Sequence, residues 1–280
     1  MKDQPAPDLR QAPPAAPARV AAARPAGGRT PAAGPAAEHG QPDLEAFRER
    51  SLQKGVNPFV YLVIRALFLP FFLVYFRLQR IGREHLPASG PLLLAANHRS
   101  FLDPFVIGSL VRRPVYYMAK RELFEKRWQA WVLNALGAFP VDRGAGDGEA
   151  MSTARAILER GDCVVVFPEG TRIRKGPLQS PHRGIGRLAV ETGAPVAPVA
   201  VHGTEEVRRG WRIRPRRVRL RVGRPLLFPT ARECSPTLAA GVTARVWACV
   251  TLQWEWLGGE QAPAPPKVRP LPGREVSRAA

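Results

Sequence analysis

The sequence predicts an α/β fold: a single domain with a mostly parallel or mixed sheet of about seven strands covered by helices, preceded by a membrane-associated apolar helical segment. Three observations predict it. From Arg77 onward, short apolar runs alternate with longer stretches of helical character. Four of those runs are nearly continuous in apolar residues, as strands buried on both faces are. Before them, Phe59 to Phe76 forms an apolar stretch just long enough to reach across a bilayer.

Residues 1–45 are rich in Ala, Pro and Gly and nearly free of large apolar residues. They cannot bury enough surface to offset the entropy of ordering, and are expected to be a disordered tail. Residues 259–280 are expected to be a second, Pro-rich and mildly basic one. Residues 46–76 carry the apolar segment. Arg65 falls near its middle and Pro70 interrupts the hydrogen-bond ladder. The expectation is therefore two short helical pieces lying in one leaflet; the competing reading is a core helix of the domain.

Residues 77–258 form the domain itself. The expected strands are Leu78–Gly82, Leu92–Ala96, Val115–Ala119, Ala138–Asp142, Cys163–Phe167, Val196–Val201 and Val218–Val222. In the last, arginine alternates with apolar residues from Arg217, which suggests an edge or surface strand. The expected helices are Pro104–Leu110, Arg121–Leu136, Glu149–Arg160, Arg183–Thr192 and Thr237–Leu257.

The formal net charge is +19. Residues 1–45 contain five basic and five acidic residues, so the excess lies elsewhere; Arg208 to Arg224 holds nine arginines and no acid. Such a surface attracts phosphates, whether of anionic lipid, a phosphorylated substrate, coenzyme A or nucleic acid. No nucleic-acid module accompanies the charge, so no nucleic-acid partner is expected. Cys163, Cys234 and Cys249 have no metal-ligand or redox spacing, which argues for a reducing compartment. No secretory signal is visible, and no metal site is expected.

Charged motifs sit where apolar strands end. Asn97-His98-Arg99-Ser100-Phe101-Leu102-Asp103-Pro104 follows the strand Leu92–Ala96. His98 falls in a loop at the carboxyl end of a strand, where open α/β sheets place their sites. Asp103 precedes Pro104 at a helix start and can turn back to orient the imidazole; a plain helix cap and an ordinary loop histidine are the alternatives. Phe167-Pro-Glu169-Gly170-Thr171-Arg172 follows Cys163–Phe167 and offers an arginine to a phosphate, or a structural Glu–Arg pair in a turn. Asp142 and Arg143 end Ala138–Asp142. Three charged strand ends suggest one shared cleft. Gly184-Ile-Gly186-Arg-Leu-Ala189 fits a loose dinucleotide pattern, but no strand directly precedes it, so it is taken as a helix start. A Gly-x-Ser-x-Gly elbow is absent.

Read in order, His98-x4-Asp103, Phe139-Pro-Val-Asp142-Arg143, Phe167-Pro-Glu-Gly-Thr-Arg172 and Val196-Ala-Pro-Val-Ala-Val201 resemble the four sequence blocks of the 1-acylglycerol-3-phosphate acyltransferase family. The resemblance covers roughly residues 78–225. It implies acyl transfer from a thioester to the sn-2 hydroxyl of 1-acylglycerol 3-phosphate, giving phosphatidate, with His98 as general base and Asp103 orienting it. Asp142, Arg143, Glu169, Gly170, Thr171 and Arg172 would bind the glycerol-phosphate acceptor. No cofactor is implied, since acyl-CoA or acyl carrier protein serves as co-substrate. The implied partners are a lysophospholipid, that donor and an anionic membrane surface, at the cytoplasmic face of the plasma membrane. The same chemistry on another lipid acceptor is the alternative. Where the family commonly carries Phe-Lys-x-Gly, this chain has Pro181-His182-Arg183-Gly184, so His182 or Arg183 replaces the basic residue.

Overall fold

The computed structural model describes residues 44–141 and 148–260. Both tails fall almost wholly outside them, as do Asp142 and Arg143. Two helices come first, α1 (Leu44–Gln53) and α2 (Pro58–Tyr75). Then follow β1 (Gln79–Ile81), β2 (Leu92–Ala96), α3 (Asp103–Gly108), β3 (Val115–Lys120), α4 (Arg127–Ala135), β4 (Ala138–Val141), α5 (Gly148–Glu159) and β5 (Cys163–Val166). The chain continues through α6 (Gly184–Thr192), β6 (Val196–His202), a hairpin of β7 (Arg208–Arg209) and β8 (Arg212–Ile213), β9 (Arg219–Val222) and α7 (Pro236–Trp256).

Seven strands form one mixed sheet in the order β1-β9-β6-β2-β5-β3-β4. Every pairing is parallel except β6 with β9. Period-two alternation sorts the strands' side chains onto two faces. Leu92, Leu94, Ala96, Cys163 and Val165 join one apolar layer with α3 and the end of α2. Leu93, Ala95 and Val164 join the opposite layer with α5, α6 and α7. A close helix crossing explains the Gly-x-Gly pattern: a β-carbon on Gly186 would sit 2.1 Å from the Ala239 carbonyl of α7. That glycine serves packing.

The topology positions the site. After β2 the chain crosses β5's position to build β3 and β4; after β5 it returns to the other side of β2 to build β6. The direction reverses at β2, and a cleft opens at such a reversal beyond the strands' carboxyl ends.

Three expectations need correction. The arginine-alternating strand β9 is not an edge, since it pairs with β1 on one side and β6 on the other. Its arginine face is tolerated because Arg221 lies over the Trp256 ring of α7 at 3.7 Å, a stacked cation at a half-exposed place. The apolar segment is one helix through Pro70, not two pieces. A proline deprives the ladder of one donor and need not end a helix whose other bonds hold. Asn57 caps its start, accepting from the backbone N–H groups of Phe59 and Val60 at 3.1 Å each. Arg65 turns inward and donates to the Gly108 carbonyl at 2.9 Å. Finally, α1 has no counterpart among the expected helices. It is a polar helix, and it is held to the domain by Asn134, which donates to the Phe47 carbonyl and the Ser51 hydroxyl.

Among the described residues α2 is the one helix long and apolar enough to cross a membrane. At 1.5 Å per residue its 18 residues span about 27 Å. Only Phe72 of α2 is buried, while Phe59 and Val74 are 74% and 79% exposed.

Candidate functional site

The site is built on the loop leaving β2. Asn97 extends that strand with its side chain: its amide donates to the Val201 carbonyl at 3.0 Å and its oxygen accepts from the Val201 N–H at 2.8 Å. His98 follows, held by its own backbone. Its N–H donates to Glu169 at 2.8 Å, and its carbonyl accepts from the Ile173 N–H at 2.8 Å. The imidazole stacks on Phe167, with ring centres 4.1 Å apart and planes at 22°.

Asp103 reaches back to this ring and does not cap its own helix. The helix begins at Asp103 with Leu102 in the cap position. The carboxylate is fully buried and accepts four hydrogen bonds. Oδ2 takes His98 Nδ1 at 2.8 Å and the backbone N–H groups of Arg99 and Ser100 at 2.6 and 2.7 Å. Oδ1 takes the Thr204 hydroxyl at 2.6 Å. The five-residue spacing thus closes a turn around the carboxylate, and its charge is met by donors on all sides. With Nδ1–H committed to Asp103, the neutral ring leaves Nε2 as its proton acceptor.

Glu169 is buried beside the loop, and its second oxygen accepts from the Gln179 N–H at 3.1 Å. Burial pushes its carboxyl up from the ordinary range, opposed by these backbone donors and by the Arg99 and His98 side chains. Both of its oxygens accept from backbone, and Arg172 points to solvent, so among the described residues the Glu169–Arg172 pair in a turn is not formed. Gly170 has φ +67°, and a β-carbon there would lie 2.9 Å from the His182 ring. Of the two basic residues weighed for the replaced position, His182 is therefore the one against the third block; Arg183 borders a groove with Arg187 and Arg232.

Arg172 and Thr171 are exposed. Arg172 lines a cleft of about 320 Å³ beside the loop, with Arg99, Arg174 and Arg208 as further cations and Ser100, Thr204 and Glu205 between them. The cleft joins the loops following β2, β5 and β6. Of the three charged strand ends, those of β2 and β5 are adjacent. The end of β4 stands three strands from β2, roughly 14 Å away at the usual spacing. Asp142 and Arg143 lie beyond it, outside the described residues.

Two residues of the site escape sequence reasoning. Thr204 lies 101 positions from the carboxylate it serves. Arg99 is 2% exposed and ties the loops together, donating to the Ile173 and Gly176 carbonyls at 2.8 Å each while lying over Trp254 at 4.2 Å. Burial lowers its pKa, opposed by Glu205, Glu169 and Asp103. The neighbouring motif gave the only local signal for Arg99; for Thr204 there was none. Among the described residues, no three His, Cys, Asp or Glu side chains group as a metal set would.

Comparison with known proteins matches this region. Residues 77–202 fit the model of the family described as Acyltransferase. Over these residues the chain is similar to that family. The 1-acyl-sn-glycerol-3-phosphate acyltransferase of Bacillus subtilis is 34% identical over 124 residues, covering 44% of this chain and 61% of that protein. The lyso-ornithine lipid O-acyltransferase of Pseudomonas aeruginosa is 32% identical over 112 residues, 40% of this chain and 43% of that one. This chain thus spans less than two thirds of either relative. The crystal structure of the 1-acyl-sn-glycerophosphate (LPA) acyltransferase of Thermotoga maritima superposes with a TM-score of 0.58 at 25% identity, over 79% of this chain and 86% of that one. The acyltransferase-family match contains His98, Asp103 and Glu169–Arg172 within its bounds.

Proposed function

We propose that the protein is a membrane-associated O-acyltransferase that moves a fatty acyl group from acyl-CoA or acyl carrier protein to the sn-2 hydroxyl of 1-acylglycerol 3-phosphate. The observation that carries this reading is the His98–Asp103 pair, enclosed at the carboxyl end of β2 and bordered by an arginine-lined cleft. An alcohol is too weak an acid to ionise unaided at neutral pH. His98 Nε2 takes the hydroxyl proton as the oxygen attacks the thioester carbonyl, and Asp103 stabilises the imidazolium that forms. The tetrahedral intermediate collapses with loss of the thiolate, which receives that proton from His98. Proton and electron pairs balance without an acyl-enzyme or cofactor. Arg172, with Arg174 and Arg208, meets the acceptor's phosphate. Asp142 and Arg143 are assigned to the acceptor site as well. Glu169 and Gly170 contribute by shape: the carboxylate fixes His98, and the glycine lets His182 approach; Thr171, exposed beside Arg172, joins the acceptor site. The exposed face of α2 rests in the lipid phase at the cytoplasmic face of the plasma membrane.

Glu205 supports a second reading. It shares the cleft with the arginines, so an acceptor bearing an ammonium beside its anionic group also finds a partner there. Lyso-ornithine lipid is such an acceptor, and one relative carries its name.

The test is acyl transfer in mixed micelles from labelled acyl-CoA, then from acyl carrier protein, to a panel holding lysophosphatidate and lyso-ornithine lipid. Phosphatidate as the main product supports the first reading. Acylated ornithine lipid replaces its acceptor, and no product from any pair removes both.

A further inference from the structure

Apart from Arg208 at its base, the β7–β8 hairpin is unaccounted for by the chemistry. Arg208 pairs with Ile213 and Arg209 with Arg212, leaving Gly210 and Trp211 as its tip. Trp211 is 83% exposed and Ile213 51%. Water disfavours an indole held out in this way, yet the hairpin is firmly rooted. Val207 and Val218 at its base are fully buried; the Arg214 N–H donates to the Val207 carbonyl at 2.7 Å, and the Val218 N–H to the Phe76 carbonyl at 3.0 Å. The Tyr75 hydroxyl donates to the Ile213 carbonyl at 3.0 Å. Tyr75 ends α2, so the hairpin is fastened to the helix whose apolar face is exposed.

Its charge is as pronounced as its exposure. Six arginines lie between positions 208 and 217, and among the described residues only Arg216 approaches a carboxylate, Glu206 at 3.8 Å. An exposed tryptophan ringed by unneutralised arginines, joined to an apolar helix face, matches an anionic bilayer interface. The indole settles at headgroup depth and the guanidiniums meet lipid phosphates. A nucleic acid would also satisfy arginines and a stacking ring, but it leaves the adjoining apolar face of α2 uncovered.

We infer that the β7–β8 hairpin is a second membrane anchor, inserting Trp211 among anionic lipid headgroups while α2 holds the other side. The consequence concerns the cleft. Arg208 and Gly210 line it, and the Arg208 guanidinium lies over Phe101 of the His98 loop at 5.8 Å. An anchored hairpin therefore brings the cleft mouth to headgroup level, where a lysolipid enters without leaving the membrane. That consequence rests on the acceptor being a membrane lipid; the anchoring does not, and is read without turnover.

The test measures binding of the full chain to vesicles of phosphatidylcholine alone or mixed with phosphatidylglycerol. Trp211→Ala and the triple variant Arg209→Ala, Arg212→Ala, Arg214→Ala are compared with the parent, with thermal melts to confirm folding. The expected results are about tenfold weaker binding to the mixed vesicles for Trp211→Ala, and loss of the preference for mixed over neutral vesicles in the triple variant. Brominated lipid should quench the parent's tryptophan fluorescence more than that of Trp211→Ala. Vesicle binding and quenching unchanged in folded variants would overturn the proposal, as would a duplex RNA that outcompetes the mixed vesicles for the parent. Absence of acyl transfer with these binding losses intact would remove the acyltransferase reading and leave the anchor standing.

Discussion

The loop around Asp103 and the surface formed by α2 and the hairpin are opposites. In the loop, charge is buried and each charged oxygen is met: Asp103 has four donors and Glu169 two. On the surface, apolar side chains from Phe59 to Val74 stand exposed and the arginines outnumber nearby acids. The first region is complete within the protein, as a site that must hold one imidazole in one tautomer requires. The second is completed only by something outside the protein. Variants should divide accordingly: changes at the buried carboxylates and their donors should alter turnover and stability together, and surface changes should act first on membrane binding.

The largest break in that contrast is Asp103→Asn. An amide presents a donor where the carboxylate accepts from backbone N–H groups and His98. Turnover should fall by on the order of 10³, and the melting temperature should drop as well. Turnover retained near the parent's would detach the carboxylate from the chemistry. Leu67→Glu tests the other region, placing a charge on an exposed position of α2. Vesicle binding should weaken at least about tenfold, with stability within about 0.5 kcal/mol of the parent. A large stability loss would instead make α2 a part of the core.

Thr204→Val keeps the shape and removes one donor to Asp103. A loss of about 1.5–3 kcal/mol in stability should accompany a roughly tenfold fall in kcat at unchanged KM; a KM effect alone would place Thr204 in substrate binding. Glu169→Gln should cost about 1–3 kcal/mol, because one of the His98 and Gln179 N–H groups loses its acceptor. This variant also changes the pH dependence. Burial raises the native carboxyl of Glu169 above 4.5, so the folded chain keeps that proton when the unfolded chain has released it. Glu169's contribution is therefore fully present below about 4.5 and is lost as pH rises through the higher native value. Glu205, raised by burial too, acts in the same sense. Denaturant titrations across this window should show a shallower decline in the variant; an identical slope would contradict the assignment.

The sequence revealed whatever was local. Seven strands were legible because apolar runs bounded by turns mark a buried sheet, and His98 and Asp103 because five residues suffice to close one turn. Thr204 and Arg99 were not legible: their partners lie 101 and 74 or more positions away, and only the sheet order brings those segments together. The strands β7 and β8 are two residues each and show no alternation to read. Pro70 misled in the other direction, since its cost is local while the helix is held by all its remaining bonds. The role of Arg65 was hidden for a similar reason: its acceptor, the Gly108 carbonyl, is 43 positions away, and without it an arginine in an apolar stretch reads only as an obstacle.

The most direct measurement compares acyl transfer by the parent and His98→Ala in the same mixed micelles, with melts and vesicle binding recorded alongside. Turnover should fall by about 10² or more, with folding and membrane binding unchanged. A folded, membrane-bound His98→Ala protein that still transfers acyl groups at the parent's rate would contradict it.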